Sequence, residues 1–166
     1  MNFYQYTQNW FSGEIFEGRI ILISGIIITI VSLIIWKFGT TPNAKSLIIP
    51  LMVVGLLFSI GLGSMMMSYP KRMEQAEQSY QENEKEFILA EKKRVEDFQV
   101  LYEYSVAFAA LSFFLTIIAF GFVENRVFQS ICIGLMIVSV SLIIIDHFSK
   151  ERAGIYYIEI QKQLEN

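Results

Sequence analysis

Apolar positions concentrate in four long runs, at residues 20–36, 46–69, 104–123 and 127–145, none of which contains Asp, Glu, Lys, Arg or His. A helix rises about 1.5 Å per residue and roughly 20 apolar residues cross a 30 Å hydrocarbon core, with about 17 to 25 accommodated, so each run predicts a transmembrane helix. The segment between the second and third runs, residues 70–103, is rich in Glu, Lys, Gln and Arg and has no Gly and no Pro after Pro70, which predicts helix. As one straight helix it would project about 50 Å, yet Tyr104 must lie back at the membrane. The segment therefore folds into a helical hairpin, with Gln81-Glu82-Asn83-Glu84 as the expected reversal and Pro70 as the break after the second span.

Apolar residues on the returning arm, Phe87, Ala90, Phe98 and Leu101, fall mostly on one helical face, and Met73, Ala76 and Tyr80 do so on the outgoing arm. The tail, residues 146–166, repeats the pattern with Ala153, Tyr157, Ile160 and Leu164 at steps of four, three and four. A helix follows, although the run from Ile155 to Ile160 also has strand propensity. Three arms with one apolar stripe each predict a small bundle outside the membrane. In residues 1–18, Phe3, Tyr4, Tyr6, Trp10, Phe11 and Phe16 alternate with polar residues, which suggests an interfacial segment in the headgroup layer. The expected fold is all-α: one polytopic membrane domain over residues 1–166, with four transmembrane helices, a cytoplasmic helical hairpin between the second and third, and a cytoplasmic C-terminal helix.

Charge gives this arrangement a side. An even number of spans puts both termini and the hairpin together, and that side carries ten of the thirteen basic residues, against Lys37, Lys45 and Arg126 opposite. The positive-inside rule then places the termini in the cytoplasm. The outward loops, Phe38 to Lys45 and Glu124 to Arg126, are too short for a folded ectodomain.

Composition narrows the chemistry. With 54% hydrophobic residues in 166, and half the chain in spans, little remains for a separate catalytic domain. A net charge of -3 and no long basic stripe make nucleic acid an unexpected partner. Cys132 is the single cysteine and lies in an apolar run, so neither a disulfide nor a thiol metal site is expected. No cleavable signal pattern, phosphate-binding glycine loop, nucleophile elbow, HExxH or CxxC is present. No cofactor, metal or catalytic residue is expected. Asp146 and His147 read as interfacial anchors, and Met65, Met66 and Met67 as adaptable packing.

Lipid provides no apolar driving force between helices, so close packing relies on small residues and hydroxyls. Each span has such a stripe: Gly25, Thr29 and Ser32; Gly55, Ser59 and Gly63; Ser105, Ala109, Ser112, Thr116 and Ala119; Ser130, Gly134 and Ser141. They suit either a bundle within one chain or self-association, with the Gly55-Ser59-Gly63 face as the candidate oligomer contact. The lack of an ionisable group at mid-depth disfavours ion-coupled transport, while a hydroxyl-lined pore stays open. Outside the spans, Glu84, Glu86, Glu91, Lys85, Lys92, Lys93 and Arg94 read as a solvated mixed-charge face. Tyr80, Phe87, Arg94 and Tyr157 are the candidates for docking a cytoplasmic protein partner. The Ile-rich chain with minimal outer loops looks like a bacterial inner-membrane protein. By analogy of architecture, the expectation is a non-enzymatic, oligomeric effector or regulator of the defence type, whose cytoplasmic helices couple to a partner and control membrane permeability. A passive membrane-anchored binding or immunity protein is the alternative, and a lipid-acting enzyme a distant third.

Overall fold

The computed structural model describes residues 3–62 and 68–165, which form long helices and, among the described residues, no strand. They are α1 (Phe3–Phe38), α2 (Pro42–Leu56) continued by a π-helical turn (Leu57–Leu62), α3 (Tyr69–Glu82), α4 (Glu84–Phe122) and α5 (Arg126–Glu165). Four of these helices are long and apolar enough to cross a membrane. Their outward faces expose Ile23, Ile27, Val53, Ile60, Val106 and Phe114, the pattern of an integral membrane protein whose solvent there is lipid. Gly63 and the three methionines lie outside the described residues.

Local chemistry sets the helix ends. The Thr-Pro-Asn sequence starts α2: Thr41 Oγ1 accepts from the Ala44 N–H at 3.2 Å, and Pro42 takes the first turn, where no N–H is needed. Between α3 and α4 a single residue, Asn83, is non-helical (φ -154°, ψ 93°). Its Oδ1 accepts from the Glu86 N–H at 3.2 Å while its Nδ2 donates to Glu86 Oε2 at 3.1 Å, a reciprocal cap. At the other end of α4, Gln129 Nε2 donates to the carbonyls of Ala119 (3.2 Å) and Val123 (2.9 Å), which have no partner within the helix.

Contact register gives the topology. Tyr69 touches Phe11 and Glu14 while Tyr80 touches Phe3 and Tyr4, so α3 runs antiparallel to α1. Phe87 touches Phe3 and Arg94 lies over Trp10, so α4 runs parallel to α1. The pairs Glu91 with Tyr156, Tyr102 with Ser149 and Leu115 with Cys132 make α5 antiparallel to α4 along its length.

One seam serves both the apolar and the polar half of this pair. On α4 the buried positions Ile88, Glu91, Val95, Tyr102, Ala109, Ser112 and Ala119 fit one alternation of three and four, and on α5 so do Cys132, Ser139, Ser149, Ala153, Tyr156 and Ile160. This is the 3.5-residue repeat of a left-handed coiled coil, carried without a phase break from the span into the polar end. The seam residues change in size and polarity. In the span they are Ala, Ser and Cys, which permit close backbone approach; in the polar half, where water drives apolar burial, they include Val95, Tyr102, Tyr156 and Ile160.

Two expectations are corrected here. Residues 1–18 are no separate interfacial segment: from Phe3 onward they are the first turns of α1, with Phe3, Trp10 and Phe11 buried in the polar core. The stripe Phe3, Thr7, Trp10, Glu14, Glu17 steps by four, three, four and three, so one helix face presents these rings to protein. The polar bundle accordingly has four helical arms rather than three. Phe16, at the end of that segment, does face outward, as do Tyr104 and Phe148 near the same level and Trp36, Phe38 and Phe122 at the opposite end. The tail resolves to helix, because Tyr156 and Ile160 share the buried face with Ala153.

Candidate functional site

Gly25 and Gly55 pack face to face. A Cβ on Gly25 would sit 2.6 Å from the Ser59 amide nitrogen and 2.8 Å from the Gly55 carbonyl oxygen, and one on Gly55 would sit 2.8 Å from the Thr29 nitrogen. Thr29 Oγ1 donates to the Gly25 carbonyl at 2.9 Å and Ser59 Oγ to the Gly55 carbonyl at 2.7 Å, so both hydroxyls are satisfied within their own helices. Ser32 Oγ donates across to the Ile48 carbonyl at 2.8 Å. Gly134 on α5 makes room for Pro50 of α2, whose Cβ lies 3.3 Å from a Cβ placed there. Ser46 and Ser130 share a 2.6 Å hydrogen bond between the same two helices. The described part of the Gly55-Ser59-Gly63 face is thus covered by α1 of the same chain, the helix-packing alternative of the two that its small residues allow. Ala109 and Ser112 likewise pack inside the chain, with Ser112 Oγ donating to the Phe108 carbonyl and Thr116 Oγ1 to the Ser112 carbonyl. Ser105 is half-buried and donates to the Leu101 carbonyl.

Outside the spans, the four docking candidates have partners within the chain. Phe87 is buried in the aromatic core, in contact with Phe3 and Tyr80. Tyr80 donates to Glu84 at 2.7 Å and packs against Phe3. Tyr157 donates to Glu96 at 2.7 Å. The Arg94 guanidinium lies 4.0 Å from the Trp10 ring centroid, a cation–π contact, and its Nε donates to Glu91 at 2.8 Å. Glu91 itself is buried, which removes it from the solvated face that its neighbours form.

Two polar layers cross the bundle interior. In the layer farther from the spans, Tyr156 donates to Glu91 Oε2 at 2.8 Å; its single proton being used there, the 2.8 Å contact with Thr7 Oγ1 has Thr7 as donor. Burial first, then the adjacent Glu91 carboxylate, push the Tyr156 phenol well above its usual range. In the layer next to the spans, Arg152 is forked between two carboxylates of α1, with Nη1 2.8 Å from Glu17 Oε1 and Nη2 3.1 Å from Glu14 Oε1. Ser149 donates to Glu14 at 3.1 Å and therefore accepts from Tyr102 at 3.2 Å; Tyr69 closes on Glu14 from α3 at 3.5 Å. Gly13 makes this possible: a Cβ there would lie 2.7 Å from Arg152 Cδ and 2.8 Å from Cζ.

This second layer links α1, α3, α4 and α5 within a turn or two of where the apolar runs begin and end. Its members Glu14, Glu17, Tyr102, Ser149 and Arg152 are absent from the residues singled out in the sequence. The available signal was the spacing of Glu14 and Glu17, three apart on the stripe of Thr7 and Trp10, facing a tail with Arg152 on its own buried side. Asp146, one residue beyond the fourth run, is raised by burial, partly opposed by the nearby Ser105 hydroxyl. Among the described residues no group of three His, Cys, Asp or Glu is placed to hold a metal. Comparison of the chain with protein-family models, with curated proteins and with solved structures finds no match, so its functional reading rests on this geometry.

Proposed function

We propose that the chain is a non-enzymatic bacterial inner-membrane coupling protein: a cytoplasmic four-arm bundle receives a partner, and its state is passed through continuous helices to the spans, where it governs self-association and permeability. The observation that carries this reading is the unbroken passage of α1, α4 and α5 between apolar and polar halves, cross-linked by Arg152 with Glu14 and Glu17. Rigid elements with a shared seam transmit a tilt or rotation applied at one end to the other. The charged residues of both layers are engaged with one another, which suits a structural relay better than acid–base turnover. The excess of basic residues on the bundle's side supports a cytoplasmic location.

A test compares wild-type and Arg152→Gln proteins reconstituted in vesicles at equal protein-to-lipid ratio, reading potassium leak and particle mass. Coupling predicts that the variant, still inserted, shifts at least one of the two. Identical leak and mass would leave the passive binding reading. One feature favours that second reading: a groove of about 720 Å³ between α1, α3 and α4, with Phe11, Arg72 and Phe98 on its walls.

A further inference from the structure

A cleft of about 750 Å³ opens between α4 and α5 where the apolar runs give way to the polar bundle. Its wall is graded along the helix axes. Toward the span it is made by Ala107, Ala110 and Ile143, and toward the bundle by Glu103, Asp146 and Lys150. The small side chains leave space that larger ones would fill; at the bundle end, a Cβ added to Gly154 meets nothing within 4 Å. Asp146 Oδ2 is buried and, among the described residues, accepts no hydrogen bond. None of the ion pairs among the described residues involves Glu103, Asp146 or Lys150. The cleft thus sets a buried acceptor lacking a donor, a second carboxylate and an ammonium group at the depth of a lipid headgroup, below an apolar slot.

We infer that this α4/α5 cleft holds a glycerophospholipid whose headgroup carries a primary amine, with the ammonium donating to Asp146 and Glu103, the phosphate meeting Lys150, and an acyl chain lying along Ala107 and Ala110. The charge pattern selects among lipids. A primary ammonium supplies the N–H donor that Asp146 Oδ2 lacks, whereas a trimethylammonium has no N–H to give. A glycerol headgroup with net negative charge would bring its phosphate beside two carboxylates with only uncharged hydroxyls to offer them. Asp146 and Lys150 lie one helical turn apart, about 5.4 to 6 Å along the axis, a spacing that an amine and phosphate joined by two carbons can bridge. The inference rests on the helices lying in a bilayer but not on any partner or permeability, so its failure leaves the coupling proposal standing.

The test uses the full chain, purified in mild detergent and stripped of lipid. It is offered palmitoyl-oleoyl phosphatidylethanolamine, phosphatidylcholine or phosphatidylglycerol at equal concentration, and retained lipid is counted by native mass spectrometry. A charge-assisted hydrogen bond is worth about tenfold in affinity, so phosphatidylethanolamine is expected to bind about tenfold more tightly than phosphatidylcholine. Asp146→Asn should bring the two to within about twofold, and Gly154→Leu, which fills the cleft from a helical position that tolerates the side chain, should reduce phosphatidylethanolamine binding by a similar factor. Equal retention of all three lipids by the wild-type chain, or a preference for phosphatidylglycerol, overturns the inference without recourse to any variant. So does a phosphatidylethanolamine preference that survives both substitutions.

Discussion

Replacing Arg152 by Gln removes the one cation from a layer in which the Glu14 and Glu17 side chains are only 12% and 10% exposed. At an effective dielectric of about 20, unit charges about 3 Å apart attract by roughly 5 kcal/mol, so the fork supplies on the order of 10 kcal/mol gross. Most of this offsets the desolvation of three charged groups, and breaking such a site from one side typically costs about 3–5 kcal/mol, because the remaining charges stay buried. A quarter of the Arg152 side chain is exposed, which lets water screen it and places the expectation at the lower end, about 3 kcal/mol. The assay is equilibrium unfolding in mixed micelles followed by Trp10 fluorescence, with the exposed Trp36 replaced by Phe so that a single reporter remains in the bundle. The companion variant, Glu14→Gln, Glu17→Gln and Arg152→Gln together, keeps the shape and removes every charge; it should recover at least half of the loss. A loss below about 1 kcal/mol would make the fork no more than a surface pair. A triple variant as unstable as the single one would show that packing, and not uncompensated charge, had been disturbed.

Further expectations come from individual contacts. Gly13→Ala should destabilise the bundle by about 1–2 kcal/mol by displacing the Arg152 guanidinium, and the loss should vanish in an Arg152→Gln background, which a double-mutant cycle reads directly. Gly25→Leu should separate α1 from α2, since the new side chain meets the backbone of Gly55 and Ser59; a loss of about 1–3 kcal/mol is expected, with spin labels on the two helices reporting a larger separation. Tyr156→Phe leaves Glu91 and Thr7 each short of one buried partner and should cost about 2 kcal/mol near neutral pH. Because the folded state holds the Tyr156 phenol above its unfolded value, its contribution is intact below about pH 10 and is lost as pH rises further, where the unfolded chain releases the proton first. The fall in stability above that pH should therefore be less steep in Tyr156→Phe than in wild type, by up to about 1.4 kcal/mol per pH unit; equal slopes would refute the assignment.

Much of the architecture was legible from charge-free length alone. A backbone in lipid must satisfy its own hydrogen bonds, so four long apolar runs leave four helices as the available solution, and Asn83 among polar helix formers marks where two of them meet. The site was not legible in the same way. Helical periodicity assigns residues to a face but not to the neighbour that covers it. Gly55 and Ser59 read equally well as a contact with another chain or with α1, and only the packed helices show that Gly25 occupies that surface. Phe3, Trp10 and Phe11 have the amphipathic character of interfacial rings; the tertiary fold decided otherwise by bringing α3 and α5 against them, so that protein took the place of headgroups. Arg152 lies 135 or more positions along the chain from Glu14 and Glu17, and no local pattern pairs it with them. Their pairing arises because α1 and α5 continue beyond the spans, placing two acidic groups and one basic group at the same height in the bundle interior, where burial strengthens their attraction.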